Sequence, residues 1–373
     1  MTGRSAWRRL DHVQPMLAGI LCGLGVMTAF SANADWVRQL LWIVLGAAAY
    51  VAASAFDYRR LRAIAPGLYV AMLLMLVAVR LVGRSALGAR RWLSVAGFPL
   101  EPSEISKLIL VVVLAAYLGR QERLSWRVFA GALALLVPPA VLILSQPDLG
   151  TTIVFVALLL GMLFLGGARP SQLLSLVAAG AIALPLLPHL LHGYQRRRLE
   201  IFLDPNQDPL GAGYNLLQAR IAVGAGGLFG QGWLHGLQGQ LGFVPERATD
   251  FVFAIFAEEF GLLGSLVLLA IFGMLLIRLL RSAAVAPDRF GELLAGGVFM
   301  MVFAQVVQNV GMNIGVLPIA GIPLPLISYG GSATITTLAA LGVVQSVVLR
   351  RRTVLHREGS IAALGTITRR AQA

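Results

Sequence analysis

Long apolar runs separated by short polar segments dominate this chain. A helix that crosses a bilayer takes about 20 mainly apolar residues. Ten candidate runs cover residues 13–33, 36–56, 62–82, 104–119, 127–145, 149–167, 171–191, 250–279, 291–313 and 332–349. The run at 104–119 is the weakest because it is short and begins with charged residues. The pattern predicts an all-α polytopic membrane protein with about ten transmembrane helices.

The composition agrees with this prediction. Of the 373 residues, 58% are hydrophobic and only 13% are charged, and the mean hydropathy is +0.80. A soluble domain has roughly 45–50% apolar and about 25% charged residues. The single cysteine, Cys22, lies inside the first apolar run, so no disulfide can form within the chain. The composition excludes a disordered chain, a disulfide scaffold and a secreted domain.

The net charge of +13 indicates how the chain is oriented. Of the 30 basic residues, 19 lie in the two termini and in the loops on the same side as the termini. Ten of the other 11 lie in two stretches, 80–107 and 189–248. Because Lys and Arg accumulate in cytoplasmic loops, both termini are predicted to be cytoplasmic. The excess charge then faces anionic lipids and is not the footprint of nucleic-acid binding.

The apolar runs predict one ten-helix membrane domain, residues 1–352, followed by a flexible cytoplasmic tail, residues 353–373. A large outer loop at 189–249 joins helices seven and eight. A loop of this length is usually functional, and its aromatic, glycine and charged residues predict ordered pieces packed on the outer face. We see no internal repeat, which disfavours inverted-repeat transporters.

Four polar motifs stand at the predicted outer starts of helices four, six, eight and ten. They are Glu101–Lys107, Gln146–Thr151, Pro245–Phe251 and Pro323–Ser332. Helix N-termini present unpaired N–H groups and about half a positive charge each. If the four starts converge, they form an outward-facing pocket suited to an anion such as pyrophosphate.

Glu104 and Lys107 are three residues apart and share one helix face. Lys107 is the only lysine in the chain, which favours a place where a compact point charge is needed. An interfacial ion pair is the alternative. Arg91 and Trp92 precede this motif; they either bind phosphate and a sugar face or anchor at the lipid headgroups. Ser103 is expected to be an N-cap.

Asp148 and Asp250 both stand where a capping aspartate is expected. Asp250 also follows the long outer loop and has Glu246 beside it. A carboxylate at the mouth of a pocket can act as a general base for a hydroxyl or as a ligand of a divalent metal. Glu258 and Glu259 lie deeper in helix eight, and a buried, paired structural role competes with a functional one.

The uncharged stretch from Asn313 to Ser332 contains three prolines and four glycines. Non-helical backbone at membrane depth must be buried or line a cavity. Ser328, Tyr329 and Ser332 are candidates for binding sugar hydroxyls; the alternative is a rigid re-entrant turn. No Walker loop, GxSxG elbow or HExxH motif is present. ATP-driven pumping and serine or zinc hydrolysis are therefore unsupported.

These motifs give the chain its resemblance to a known family. The segments 102–107, 146–151 and 318–332 resemble the SEDS (shape, elongation, division and sporulation) family, and the resemblance extends from about residue 11 to 350. The stretches 204–214 and 230–240, with Glu246 and Arg247 ahead of Asp250, resemble the RodA elongation branch more than the FtsW division branch. Two positions depart from the family pattern: Ala248 replaces a histidine, and Glu101 replaces a glutamine.

The resemblance implies a peptidoglycan glycosyltransferase that polymerises lipid II, a disaccharide-peptide on undecaprenyl pyrophosphate, on the outer face of the bacterial cytoplasmic membrane. It also implies an inverting reaction, a divalent cation such as Mg²⁺ or Mn²⁺, and a class B penicillin-binding protein as transpeptidase partner. The catalytic residue falls on Asp250, and no residues are assigned to the metal. The candidate substrate-binding residues are Glu104, Lys107, Arg91, Trp92, Asp148, Gln146, Ser328, Tyr329 and Asn313.

Two other functions compete with this one. A lipid II flippase needs polar groups along the whole transport path, whereas the motifs cluster at outer helix starts. A non-catalytic membrane partner of a transpeptidase would tolerate Asp250→Asn. The clustering of the motifs favours chemistry on one side of the membrane.

Overall fold

A computed structural model describes residues 11–86, 89–95, 98–121, 123–183, 196, 200–202, 204 and 211–370. Helices dominate these residues. They are α1 (Val13–Ser31), α2 (Trp36–Ala55), α3 (Tyr58–Val82), α4 (Pro102–Leu118), α5 (Trp126–Leu144), α6 (Leu149–Leu165), α7 (Pro170–Ala183), α8 (Ala212–Ala225), α9 (Leu237–Gln240), α10 (Val252–Ala284), α11 (Arg289–Asn313) and α12 (Gly331–Arg370).

Each of the ten predicted apolar runs overlaps one of these helices. Seven are long and apolar enough to cross a membrane, counted among the described residues: α1, α2, α3, α5, α10, α11 and the first part of α12, Gly331–Arg350. The helices α4 and α6 have 17 residues each, and part of the run at 171–191 lies outside the described residues. The predicted tail at 353–373 coincides, as far as Arg370, with the end of α12; its flexibility stays a prediction.

Several helices begin at a side chain that accepts a hydrogen bond from a backbone N–H group of the first turn. The carboxylates of Asp35, Asp57 and Asp288 accept hydrogen bonds from backbone N–H groups at the starts of α2, α3 and α11, and the Ser125 hydroxyl does the same for α5. Such caps pair donors that have no partner inside the helix. The expected Ser103 cap is wrong, because α4 begins at Pro102 and its N-cap position is Glu101, two positions before Ser103.

A continuous apolar core joins the central helices. Leu76 of α3, Leu114 of α4, Leu158 of α6 and Val298 of α11 are completely buried in it. Since short connections join most of these helices, their starts and ends alternate between the two ends of the bundle. The starts of α2, α4, α6, α10 and α12 share one end, which we call the cavity end; the starts of α1, α3, α5, α7 and α11 share the opposite end.

The expectation of an all-α fold is wrong in one place. Between α3 and α4 the chain forms a three-stranded antiparallel sheet, β1 (Arg84–Ala86), β2 (Ala89–Val95) and β3 (Phe98–Leu100), in the order β1-β2-β3. The sequence pattern predicts no strands in this segment, which precedes the motif at the start of helix four. The sheet lies at the cavity end and delivers Arg91 and Trp92 to that end of the bundle.

The described part of the long loop is ordered against a break in α10. Gly261 has φ +66° and ψ −165°, a conformation that only glycine adopts readily. The carbonyls of Glu258 and Glu259 accept hydrogen bonds from the N–H groups of residues 231 and 232 at 2.9 and 3.0 Å. The freed N–H groups of Leu262 and Leu263 donate to the carbonyls of Gly227 and Leu228. The loop therefore replaces the hydrogen bonds that the helix loses at the break.

Candidate active site

A cavity of about 290 Å³ opens at the cavity end of the bundle. Its wall contains three carboxylates, those of Glu101, Glu246 and Asp250, and two arginines, Arg38 and Arg91. The remaining lining residues include Trp42, Trp92, Thr249, Tyr329 and Ser332. The starts of α4, α10 and α12 meet here, and the start of α6 lies directly behind Arg91. The structure thus brings together the four motifs that the sequence distributes over 230 residues.

Asp250 is held by its backbone. It is half-buried and lines the cavity just before α10. Three successive carbonyls around it each accept a hydrogen bond from a different group. The Ala248 carbonyl accepts from the N–H of Tyr329 at 2.8 Å, and the Thr249 carbonyl accepts from the hydroxyl of Ser328 at 2.6 Å. The Asp250 carbonyl accepts from the side-chain amides of Asn309 and Asn313 at 2.9 and 3.1 Å. We call these four donors the carbonyl clamp.

The two asparagines of the carbonyl clamp also bind each other and neighbouring elements. Asn309 donates to the carbonyl of Ile322 at 2.8 Å, and Asn313 donates to that of Asn309 at 2.8 Å and accepts from the N–H of Ala254 at 3.2 Å. Both side chains are fully buried. They therefore join α11, the segment before α12 and the start of α10 behind Asp250. The helix start itself has no side-chain cap, so Asp250 is not its capping residue.

Arg91 reaches from the sheet to the start of α6. Its guanidinium donates to the carbonyls of Gln146, at 3.3 Å, and Pro147, and lies 3.9 Å from the carboxylate of Asp148. Asp148 also caps α6 by accepting from the N–H of Thr151 at 3.0 Å. The two expectations for Asp148 and Asp250 are therefore resolved differently: Asp148 caps its helix, whereas Asp250 does not.

Gln146 and Asp148 do not line the cavity. The Gln146 amide donates to the carbonyl of Leu76 in α3 at 2.9 Å, and both side chains are buried. They support Arg91 and the junction of α3 with α6. Ser328 and Asn313 are likewise buried behind the cavity wall, where they belong to the carbonyl clamp. Their predicted contacts with substrate stay predictions.

Glu104 and Lys107 form an ion pair below the cavity floor. The Lys107 ammonium lies 2.7 Å from the Glu104 carboxylate, and their side chains are only 1% and 4% exposed. In the amide orientation that satisfies both of its polar atoms, Gln305 accepts from Lys107 at 2.5 Å and donates to the carbonyl of Met301. Neither charged residue lines the cavity. This geometry agrees with the ion-pair alternative.

Glu101 is a carboxyl of the cavity wall with a raised pKa. Its pKa rises from 4.5 to about 8, first because of burial and then because of the negative charges of Glu104 and Asp148, whereas Arg91 and Lys107 act to lower it. Its backbone N–H donates to the Ser332 hydroxyl at 2.9 Å, and its carboxyl accepts from Ser103 at 3.1 Å. At neutral pH this carboxyl therefore holds a proton.

Glu258 and Glu259 fix the long loop. Glu258 accepts hydrogen bonds from the N–H groups of Gln238 and Gly239 at 2.7 and 3.0 Å. Glu259 accepts from the N–H of Leu234 at 3.1 Å and from the hydroxyl of Ser31. Neither residue lines the cavity. The geometry therefore supports a structural role for Glu258 and Glu259, which is the alternative to a functional one.

Of the predicted site residues, Asp250, Arg91, Trp92, Tyr329 and Ser332 line the cavity. The sequence interpretation missed Arg38 and Trp42, which line it from the first turns of α2. The sequence contained a signal for both residues. Outside the stretches 80–107 and 189–248, Arg38 is the only basic residue in the predicted outer loops, and Trp42 lies four positions later on the same helix face.

The carboxylates of the cavity suit a divalent cation of the hard class, since Mg²⁺ and Mn²⁺ prefer oxygen ligands. Asp250 and Glu246 stand on the same short segment beside the opening. Within the described residues, no group of three or more His, Cys, Asp or Glu side chains could hold a metal. Mg²⁺ is often held by one or two carboxylates together with substrate phosphates, so Asp250 and Glu246 are compatible with such a cation, and its binding stays a prediction.

Comparisons with known proteins agree with this fold. Residues 23–353 match the FtsW, RodA and SpoVE family, described as "Cell cycle protein". The chain is 40% identical over 358 residues to the peptidoglycan glycosyltransferase MrdB of Escherichia coli K12, covering 94% of this chain and 96% of that protein.

Solved structures give the same result. A chain from a structure described as the coordination of polymerization and crosslinking by a peptidoglycan synthase complex is 35% identical, with a TM-score of 0.81 over 92% of this chain and 98% of that one. The rod shape-determining protein RodA of Thermus thermophilus is 33% identical, with a TM-score of 0.68 over 92% and 97%. The protein is a member of the FtsW, RodA and SpoVE family, which is the SEDS family that its motifs resemble.

Proposed function

We propose that this protein is a peptidoglycan glycosyltransferase that polymerises lipid II during cell elongation, and that the cavity around Asp250 is its active site. The single observation that carries the assignment is the juxtaposition of Asp250 with Arg91 in one cavity. That arrangement supplies an acceptor for a proton and a cation for a leaving phosphate within one site. The family and the named relatives support the substrate class.

In the proposed reaction, a sugar hydroxyl attacks the anomeric carbon of lipid II and forms the new glycosidic bond with inversion. The bond from that carbon to the pyrophosphate breaks, and the pyrophosphate leaves on its lipid. Asp250 accepts the proton of the attacking hydroxyl. A positioned general base contributes about 10²–10⁴ in rate, and the carbonyl clamp keeps this carboxylate at a fixed place.

The leaving pyrophosphate needs positive charge in a site with little water. Arg91 supplies it from β2, while Asp148 and two backbone carbonyls hold its guanidinium in place. The starts of α4 and α12 add the positive ends of their dipoles. A divalent ion at Glu246 would add Lewis-acid stabilisation of the pyrophosphate; a role of Asp250 as its ligand is the alternative to its role as the base. Trp42, Trp92 and Tyr329 offer aromatic faces to the sugars.

We propose further that the chain crosses the bacterial cytoplasmic membrane ten times, with both termini inside and the cavity facing outward. The excess of basic residues at the opposite end of the bundle supports this orientation. As partner we propose a class B penicillin-binding protein, which would cross-link the new strand. The structural likeness to a chain of a synthase complex that coordinates polymerization with crosslinking supports this proposal.

The test uses the purified full-length protein with lipid II in detergent, with Mg²⁺ or Mn²⁺ and with EDTA, in the presence and absence of the transpeptidase partner. We expect glycan strands from the wild type, and a rate about 10²–10⁴ lower from Asp250→Asn. Asp288→Asn at the opposite end is the matched control and should polymerise normally. Polymerisation without membrane compartments would exclude transport as the sole activity.

Normal polymerisation by Asp250→Asn would overturn the role of Asp250. Complete lack of strands from the wild type under every condition would instead favour the flippase or the non-catalytic partner. Transport of lipid II by the same preparation in vesicles separates these two.

A further inference from the structure

A second cavity lies at the opposite end of the bundle, between α3, α4 and α5. Its volume is also about 290 Å³. Apart from two arginines, Arg62 and Arg120, its walls consist of aliphatic, proline and tyrosine side chains, and none of the described residues that line it is acidic. The cavity is therefore an apolar slot with a cationic rim.

Both arginines of the rim are exposed, and neither has an ion pair with an acidic residue in the part of the chain that the structure describes. Two acidic helix caps on this end form ion pairs with other arginines. Asp57 pairs with Arg350 at 3.3 Å, and Asp288 pairs with Arg59 at 3.5 Å. The rim thus presents two guanidinium groups to an external anion.

The slot faces the surrounding membrane. Val70 is 55% exposed where it lines the slot, which places an opening on the outer surface of α3. Tyr69 uses its hydroxyl to donate to the carbonyl of Leu135 at 3.1 Å, so its ring forms apolar wall. Trp126, 49% exposed at the start of α5, stands where aromatic residues mark the boundary between hydrocarbon and headgroups.

We propose that this cavity binds an anionic glycerophospholipid, with one acyl chain in the slot and the phosphate between Arg62 and Arg120. Guanidinium groups form paired hydrogen bonds with phosphate oxygens. Basic pockets between transmembrane helices are recurrent sites for anionic lipid headgroups. In the proposed topology the lipid comes from the cytoplasmic leaflet, opposite the leaflet that delivers the glycan substrate. The inference does not depend on the proposed activity.

The experiment measures lipid binding by native mass spectrometry of the full-length protein, delipidated in detergent and titrated with dioleoyl phosphatidylglycerol or dioleoyl phosphatidylcholine. For the wild type we expect tighter binding of the first phosphatidylglycerol by about 10-fold or more, because two basic groups meet the headgroup. The double variant Arg62→Gln/Arg120→Gln should lose most of this preference.

The matched control is Arg60→Gln/Arg127→Gln. It removes two exposed arginines from the same end that do not line the slot, and it should keep the preference. Dihexanoyl phosphatidylglycerol and inorganic phosphate should compete weakly, since neither fills the slot. Equal losses in the two double variants, or equal affinity of the wild type for both long-chain lipids, would overturn the proposal. The lipid comparison needs no variant, so it decides the matter even if the substituted protein fails to fold.

Discussion

Acidic residues have different roles at the two ends of the helix bundle. At the opposite end, Asp57 and Asp288 each cap a helix and pair with an arginine. At the cavity end, Asp35 and Asp148 likewise cap helices and pair with Arg38 and Arg91. Among the described residues, only at this end do three further carboxylates, those of Glu101, Glu246 and Asp250, line one opening. One end joins helices to each other, while the other end holds acidic groups in place around a cavity.

Ion pairs and hydrogen bonds to backbone carbonyls hold helix ends in place in different ways. Ion pairs between helix ends stabilise the assembly and leave no acidic group for chemistry. Buried amides and hydroxyls that donate to carbonyls, as in the carbonyl clamp, fix the backbone that carries a cavity-lining carboxylate. The comparison therefore predicts that changes at the cavity end reduce activity more than stability, except where they affect the break in α10.

The largest expected effect is at that break. In Gly261→Ala the new Cβ would lie 2.3 Å from the N atom of Gly230, in a backbone conformation disfavoured for alanine. We expect a loss of about 2–4 kcal/mol in stability, together with lower activity because the loop before Asp250 is displaced. Thermal unfolding in detergent measures the stability. The control is Gly273→Ala in the same helix, where nothing lies within 4 Å of the new Cβ; a similar loss there would contradict the explanation.

The next largest effect is expected from Asn313→Ala, which should lower the rate of polymerisation more than the stability of the protein. It removes one of the two amide donors to the Asp250 carbonyl and the acceptor for Ala254. Displacement of a reacting group by about 1 Å can reduce a rate by about 10²-fold, so we expect polymerisation to fall about 10- to 100-fold. Assays with purified lipid II measure it. Gln345→Ala removes a buried amide from the opposite end and should leave the rate within about twofold; equal losses would contradict a positioning role.

At the opposite end, Asp288→Ala should reduce stability and spare catalysis. It removes the cap of α11, the acceptor of the Tyr58 hydroxyl and the partner of Arg59. Because this ion pair is partly exposed, we expect only about 1–2 kcal/mol. Asp288→Asn keeps an oxygen for the cap and should lose about half as much. Thermal unfolding and the polymerisation assay, run on the same samples, test whether the two ends separate stability from activity.

The smallest effect concerns pH. Since the folded-state pKa of Glu101, about 8, lies above 4.5, its usual value, the folded protein binds this proton more tightly than the unfolded chain does. Its contribution to stability is complete below about pH 4.5 and is lost as the pH rises through about 8. Glu101→Gln should therefore gain about 2–4 °C in melting temperature relative to wild type between pH 5 and pH 9.

The control for this pH effect is Glu246→Gln, which removes an exposed carboxylate from the same cavity. Water screens an exposed charge, so no comparable change with pH is expected there. If both variants shifted equally, burial of Glu101 would not be the cause.

Much of the architecture was predictable, because long apolar runs have few alternatives to helices in a membrane. All ten runs overlap a helix. The sheet at 84–100 was not predicted, since its three strands are short and lie within a segment rich in basic residues. The ordering of the long loop against α10 was expected only in outline, because the break depends on Gly230 meeting Gly261.

The sequence predicted several residues of the candidate site correctly, but it did not predict which of the motif residues face the cavity. Asp250, Arg91, Trp92 and Tyr329 line the cavity as their motifs suggested. Lys107, the only lysine, is instead buried against Glu104. Spacing along one helix shows that two side chains share a face, but it does not show whether that face meets a cavity or another helix.

The sequence by itself determined the helices, the charge asymmetry along the chain and the four motifs, because each depends on hydrophobicity, charge or spacing within a short segment. Only the tertiary structure decided that Asp148 caps a helix while Asp250 lines a cavity. The two aspartates have similar local contexts, and the difference comes from Asn309, Asn313 and Ser328, which are distant in sequence and bind the backbone around Asp250. Contacts of that kind depend on how helices pack, which no local pattern records.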